Sequence, residues 1–324
     1  MRPSIISNYN TPLARLRRTE ADTAPRLQFA PFEKSGIATI QPILEASPSR
    51  TCDFTTGGIY LWADLFDYTR CVVDSTLFIK GLNEADRSKP AFSLPVGKMP
   101  LAKAIEALRV YCRSHHLPLQ LSAVPEDRLD ELRALGAFNI EPIADWADYL
   151  YDIHSLATFA GKKMSKKRNH TNRFAADNPD AVLEPMNADN AMEALTFMSN
   201  LEMADNKGEM AYYERNHAAD VLRNFSDYPF EGAILRVPGR GIVAFAVGEV
   251  VGDTLHVHIE KMDHTVAGAG ETICMKFAAM MAERYPHLQY ENRQDDSGDP
   301  GLRQGKLSYH PTALLMKYNL ELSV

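Results

Sequence analysis

GAILRVPGRGIVAFAVGEVVGDTLHVHIEKMDHTVAGAGETICMKFAAMMAERY, residues 232–285, decides the fold. GAILRV, GIVAFAVGEVV and TLHVHIEKM are apolar, β-branched runs separated by turn residues at 238–241 and 252–253. They predict antiparallel strands in succession. A turn of small residues, Ala267-Gly268-Ala269-Gly270, then leads into ETICMKFAAMMAERY, whose length and apolar spacing predict a long helix. Within TLHVHIEKM, strict alternation is expected to put Leu255, Val257 and Ile259 on one face and His256, His258 and Glu260 on the other.

Working outward, AVLEPM reads as a strand, and NADNAMEALTFMSNLEM and AYYERNHAADVLRNF read as two helices. Downstream, HLQYEN is a strand and GLRQGKLSYHPTALLMKYNLEL gives a short helix and a strand. Helix, helix, antiparallel strands, glycine turn, long helix, strand is the element order of an acyl-CoA N-acyltransferase unit. The first half gives a looser version. GIATIQPILEA is helical, TRCVVDSTLFIKG turns between strands on Asp74 and Ser75, and AFSLPV is a strand. LAKAIEALRVYCRSHH carries Leu101, Ile105, Leu108 and Cys112 on one helical stripe. LPLQLSAV, PEDRLDELRALG and WADYLYDI follow as strand, helix and strand. The expected class is α+β: two tandem N-acyltransferase-like lobes of mixed, mostly antiparallel sheets flanked by helices. The expected boundaries are a flexible arm over 1–26, lobes over 27–154 and 179–324, and a basic connecting helix over 155–178.

That connecting segment is the chain's electrostatic anomaly. Residues 153–176 hold Lys162, Lys163, Lys166, Lys167, Arg168 and Arg173, with His154 and His170, and no carboxylate. Removing those six cations from a net charge of −7 leaves the remainder at −13. On a helix running from about Ser155 to Ala176, Lys163, Lys166 or Lys167, His170 and Arg173 share a side. A basic face on an acidic protein suits a polyanion: nucleotide phosphates, tRNA or lipid headgroups.

With 324 residues, 45% apolar and 24% charged, the chain suits two folded domains, and no apolar run reaches membrane-spanning length. Its first 25 residues carry four arginines without a signal-peptide core. Cys52, Cys71, Cys112 and Cys274 are scattered, which argues against a zinc knuckle or disulfide scaffold and for reducing cytoplasm.

Three constellations carry chemistry. Gly268, Ala269 and Gly270 could present backbone N–H groups to the pyrophosphate of an acyl-CoA donor, although no basic residue precedes them. Glu260 or His258 could take a proton from an attacking amine or hydroxyl; a metal reading of the His256/His258 pair lacks a fourth ligand. YENRQDDSGDPGLRQGKLSY, residues 290–309, gathers Glu291, Arg293, Asp295, Asp296, Arg303 and Lys306 around three glycines, and its cations could cradle an anion.

GKKMSKKRNHTNRF (161–174), LHVHIEKMD (255–263) and ENRQDDSGDPGLRQGKLSY (291–309) resemble the C-terminal domain of bacterial phosphatidylglycerol lysyltransferases and its stand-alone relatives of unknown function. CDFTTGGIYLWAD (52–64) and FSLPVGK (92–98) fit the same pattern. The resemblance implies a tandem fold similar to that of Fem-type aminoacyltransferases and transfer of an amino acid from aminoacyl-tRNA. It maps the family's basic helix onto Lys162 to Arg173, and its C-terminal arginine, acid and lysine onto Arg293, Asp296, Arg303 and Lys306. The synthases' multi-span membrane domain has no counterpart in this sequence, so a lipid headgroup, a peptide and a small molecule all stand open as acceptor. An aminoacyltransferase is the first reading, with no tightly bound cofactor. An acyl-CoA-dependent N-acetyltransferase and a non-catalytic binding module are the alternatives.

Overall fold

The computed structural model describes residues 25–83, 86–202 and 209–322; the arm read over 1–26 therefore lies almost wholly outside the described residues. Two mostly antiparallel sheets flanked by helices make a tandem acyltransferase-like α+β fold. In chain order the first half contributes strands β1 (Ala30–Pro31), β2 (Thr69–Val73), β3 (Thr76–Leu82), β4 (Pro90–Phe92), β5 (Val96–Gly97), β6 (Gln120–Pro125), β7 (Phe138–Pro142) and β8 (Asp148–Asp152). The second half adds β9 (Val182–Pro185), β10 (Glu231–Val237), β11 (Gly241–Val251), β12 (Thr254–Met262), β13 (Tyr290–Asn292), β14 (Ala313–Leu315) and β15 (Lys317–Leu322).

One sheet has the order β1-β2-β3-β4-β6-β15-β7, with β5 also on β3; the other runs β14-β8-β13-β12-β11-β10-β9. The chain thus crosses between sheets twice at one place. β7 and β15 pair in the first sheet, while β8 and β14, their direct continuations, pair in the second. The last strand of the chain is an inner strand of the first sheet. Local sequence pattern sees a strand at 317–322 but carries no information about which sheet completes it.

The helices are α1 (Ile37–Ala46), α2 (Thr56–Tyr60), α3 (Leu101–His115), α4 (Leu129–Leu135), α5 (Ile153–Thr158), α6 (Ser165–Asp177), α7 (Ala188–Glu202), α8 (Glu209–Arg223), α9 (Ala269–Arg284) and α10 (Pro300–Leu307). The apolar stripe of α3 lies in the first-lobe core, where Ile105, Leu108 and Cys112 are buried against Phe78, Phe92 and Leu121. In the second lobe, α9 packs Ile273, Phe277 and Met281 on one sheet face, and α7 and α8 pack Ala194, Met198 and Leu222 on the other. Burying the Leu, Ile, Phe and Met side chains among these contributes roughly 1.5–3 kcal/mol each.

Two readings of the sequence need correction. The basic segment is not one helix. It breaks between α5 and α6, where Phe159 takes a left-handed backbone (φ 45) and Arg168 donates to the Phe159 and Gly161 carbonyls that the break leaves free. And β12 does not alternate to its end. Val247 faces Ile259 but Gly248 faces Val257, so His258 is an extra residue in a β-bulge. Leu255 and Val257 pack in the core under α9, whereas Ile259 packs on the opposite face under α7 and α8. The bulge accordingly sends Glu260 away from the face that bears His256.

Candidate active site

β12 and β13 are parallel neighbours over only three pairs, ending at His256 and Asn292. Beyond that point β12 continues along β11 to Met262, while the chain after Asn292 turns away through Gln294 (φ 59). The parting strands open into a cleft of about 1220 Å³ between the lobes. Residues of both halves line it, among them Asp53, Trp62, His258, Glu260, Arg293 and Lys306.

Arg293 spans the parting. Its guanidinium lies 2.7 Å from Glu260, 3.2 Å from Glu291 and 2.8 Å from the Cys274 sulfur, with the Tyr309 ring centroid 5.3 Å away. Burial pushes the Glu291 carboxyl up to about 7 against the pull of Arg293. Lys167 sits 3.7 Å over the same Tyr309 ring and 3.5 Å from Glu271, and burial lowers its ammonium's pKa. Glu271, in the first turn of α9, also meets His170 at 2.9 Å. Lys167, Tyr309, Arg293 and Glu260 thus form one connected wall.

Lys306 holds the loop in place by donating to the Arg293 carbonyl at 2.7 Å and to the Asp295 carbonyl. Burial lowers its pKa. It sits on α10, whose start is fixed by Asp299 accepting from the Leu302 N–H and by Pro300 at the first helical position. Arg303, on the same helix, grips Asp296 through two N–H groups at 2.8 and 2.9 Å and reaches Asp145 at 2.8 Å. That hydrogen bonding draws Asp296 down to about 2, with the Tyr149 hydroxyl donating from the other side. Arg303 and Asp296 therefore anchor α10 to β8 and are not among the residues lining the cleft.

His258 lines the cleft, but both ring nitrogens are engaged: Gln294 Nε2 lies 2.9 Å from Nδ1 and Glu249 Oε1 lies 2.9 Å from Nε2. The same Glu249 oxygen accepts the Gly57 N–H at 2.6 Å. A β-carbon on Gly57 would sit 2.3 Å from the His258 ring, so only glycine allows α2 to approach this closely. His256 is fully buried without a hydrogen-bond partner at either nitrogen, and burial presses it down to about 4, which keeps it neutral. The two imidazole rings do not converge with Glu260.

At the cleft floor lies a cluster that local sequence pattern did not reveal. Lys317, fully buried at the start of β15, places its ammonium 2.8 Å from Asp148, 2.8 Å from Asp53 and 3.5 Å from the Cys52 sulfur. Asn292 and the Cys52 N–H both donate to Asp148, at 2.8 and 2.7 Å. Burial opposes ionisation of Asp148, but Lys317 and these donors hold its carboxyl below the usual range. Asp53 has fewer donors, and burial pushes it up to about 6 in spite of Lys317. Ligating atoms of Cys52, Asp148 and Asp295 lie within 4.8 Å of one another, and the cation among them is the Lys317 ammonium.

Of the basic segment, Lys162, Lys163, Lys166, His170 and Arg173 are exposed, His170 reaching Glu271, while Lys167 and Arg168 are half-buried against Tyr309 and the helix break. The Lys163 carbonyl lies 3.2 Å from His310 Nε2, which joins the exposed lysines to the rim beside Tyr309. Gly268, Ala269 and Gly270 are not among the residues lining the cleft. α6 packs directly on Gly268 (φ 79), where a β-carbon would meet the His170 carbonyl at 2.4 Å, and Gly270 faces Met262. These glycines serve helix packing. Gly268→Ala is expected to cost about 2–4 kcal/mol, from left-handed strain plus a backbone clash, read as a lowered urea midpoint.

A family model described as phosphatidylglycerol lysyltransferase, C-terminal, matches residues 44–321. A conserved protein of unknown function from Bacteroides thetaiotaomicron is 31% identical over 92% of this chain and 100% of its own, with a TM-score of 0.82. L-PGS from Bacillus licheniformis shares the fold at 13% identity, covering 88% of this chain and 91% of its own, with a TM-score of 0.65. FemX shares it at 10% identity over 92% and 97%, with a TM-score of 0.59. An uncharacterized protein of Mycoplasmoides gallisepticum is 22% identical over 172 residues, 53% of this chain; the match spans 54% of that relative's length. Among the described residues no helix is long and apolar enough to cross a membrane. The parted strands, the cleft shared by two acyltransferase-like lobes and a match over most of the length agree: this chain belongs to the phosphatidylglycerol lysyltransferase C-terminal family.

Proposed function

We propose that this acyltransferase-family chain moves an aminoacyl group from aminoacyl-tRNA to a hydroxyl or amine acceptor bound in the interlobe cleft. The observation that carries this reading is the pairing, within one cleft of about 1220 Å³, of the Asp53 carboxyl with the Arg293 and Lys306 side chains. The donor ester is already activated, so the protein has only to align the acceptor, take its proton and steady the oxyanion. Asp53, held near neutrality, is the proton acceptor. Lys306 uses two N–H donors on the 293 and 295 carbonyls and has a third for the oxyanion. Glu260, tied to Arg293, is a positioning group rather than the base.

The tRNA would approach over the exposed lysines beside Tyr309 and His310. An acyl-CoA donor seated at the Gly268 turn would have to displace α6 and lie against the Glu271 carboxylate, so that alternative has less support. The test is acceptor-dependent loss of labelled aminoacyl ester from charged tRNA. Turnover no faster than spontaneous hydrolysis, with no tRNA binding at low salt, would remove the reading. Changing Lys162, Lys163 and Lys166 together to Gln is expected to weaken tRNA binding and to flatten the slope of log K against log salt by about 2–3. The measurement is a filter-binding salt titration.

A further inference from the structure

The cleft has two chemically different sides. The second-lobe side carries Arg293 and Lys306 and adjoins the basic rim. The first-lobe side is an aromatic wall of Trp62, Phe66, Tyr68 and Trp146, with the Phe66 ring 5.7 Å from Tyr68 and 5.9 Å from Trp146. Ile59 and Ile79 extend that wall. Beneath it lie Asp53 and Asp295, with Asp148 within 4.8 Å of Asp295; the Lys317 ammonium and that of Lys306, which bonds the Asp295 carbonyl, balance two of the three charges. The further cations lining the cleft are Arg293, held by Glu260 and Glu291, Lys261, held by Glu214, and Arg215. An electron-rich wall over a carboxylate floor of net negative charge selects a cation on an apolar stem.

We propose that the first-lobe side of the cleft is a subsite for an aliphatic ammonium group, and that the acceptor is a primary amine. The proposal rests on the aminoacyl-transfer reading and names its acceptor. The floor draws in R–NH3+, and Asp53 takes one proton to give the free amine. The amine nitrogen attacks the ester carbonyl, the C–N bond forms, and the C–O bond to the tRNA ribose breaks. The leaving ribose oxygen takes the second amine proton, and Asp53 returns its own to water. The product amide has lost the charge that held the acceptor, which favours its release.

A donor's α-ammonium offers the same chemistry, so the test separates the two sources. Isothermal titration of the whole chain with 1-hexylamine hydrochloride, 1-hexanol and sodium hexanoate reads the subsite directly. Hexylammonium is expected to bind at least tenfold more tightly than hexanol or hexanoate. Asp295→Asn, which keeps the bonds that Asp295 accepts from Ser297, and Trp146→Leu are each expected to weaken it about three- to tenfold. Equal binding of hexanol, or unchanged binding by both variants, overturns the subsite. In transfer assays amide formed from hexylamine supports the acceptor assignment. Ester formed from an alcohol but no amide from hexylamine overturns it while leaving the transferase reading intact. Loss of transfer from an N-acetylated aminoacyl-tRNA with the amine present assigns the ammonium to the donor instead and also overturns it. If no acceptor supports turnover, the transferase reading falls and the titration alone decides the subsite.

Discussion

Lys317→Met is expected to lower the stability of the whole fold by about 3–5 kcal/mol at pH 7.5, because it strands a fully buried carboxylate, Asp148, and its neighbour Asp53. Methionine matches the volume of the lysine stem, so the loss reports charge rather than packing. Unfolding is read by urea titration at pH 7.5 and 5.5. In the wild type the two acids have opposite signs. Asp53 has a native pKa of about 6, above its ordinary value, so its contribution is present at low pH and lost as pH rises through 6. Asp148, held below the usual range, contributes above that range and loses its contribution on acidification. Without Lys317, burial raises Asp148 as well, so acidification to pH 5.5 is expected to shrink the gap between variant and wild type. A triple variant with Asp53→Asn and Asp148→Asn added should recover most of the loss, since breaking a buried pair costs more than removing it. A Lys317→Met protein within 1 kcal/mol of wild type at pH 7.5 would mean that water, not the ammonium, compensates these acids.

Elements were legible in this chain wherever one local rule governs them. The period of α3 and the strands of residues 231–262 follow from their own side chains, and Asp74 and Ser75, both at positive φ, make the turn between β2 and β3. The bulge at His258 was not legible, because nothing in LHVHIE distinguishes a strand that shifts register from one that alternates. Charges at 291–306 pointed to the right segment, yet their division of labour needed three dimensions. Arg303 is sequestered by Asp145, while Arg293 faces the cleft beside Glu260. The floor was the least visible. Cys52 and Lys317 stand 265 residues apart and meet because the chain crosses between the sheets twice. A lysine beginning the C-terminal strand KYNLEL was the one available signal, and by itself it reads as a solvated end.

Asp53→Asn is expected to slow aminoacyl transfer by about 10²–10⁴-fold, the range for losing a general base, with tRNA affinity unchanged. The side chain keeps its shape, and Lys317 keeps Asp148 as its partner. What separates a base from a merely structural acid is the pH profile. Asp53 is protonated below about pH 6, so wild-type kcat/KM should fall on the acid side with that midpoint, whereas the variant's residual rate should lack the limb. Glu291, pushed up to about 7, is the competing source of such a limb, but Arg293 lies against its Oε1 and it is not among the residues lining the cleft. A Glu291→Gln variant should therefore retain the limb near pH 6. If Asp53→Asn loses less than tenfold, Asp53 is not the proton acceptor; if the limb survives in it and vanishes in Glu291→Gln, the limb belongs to Glu291.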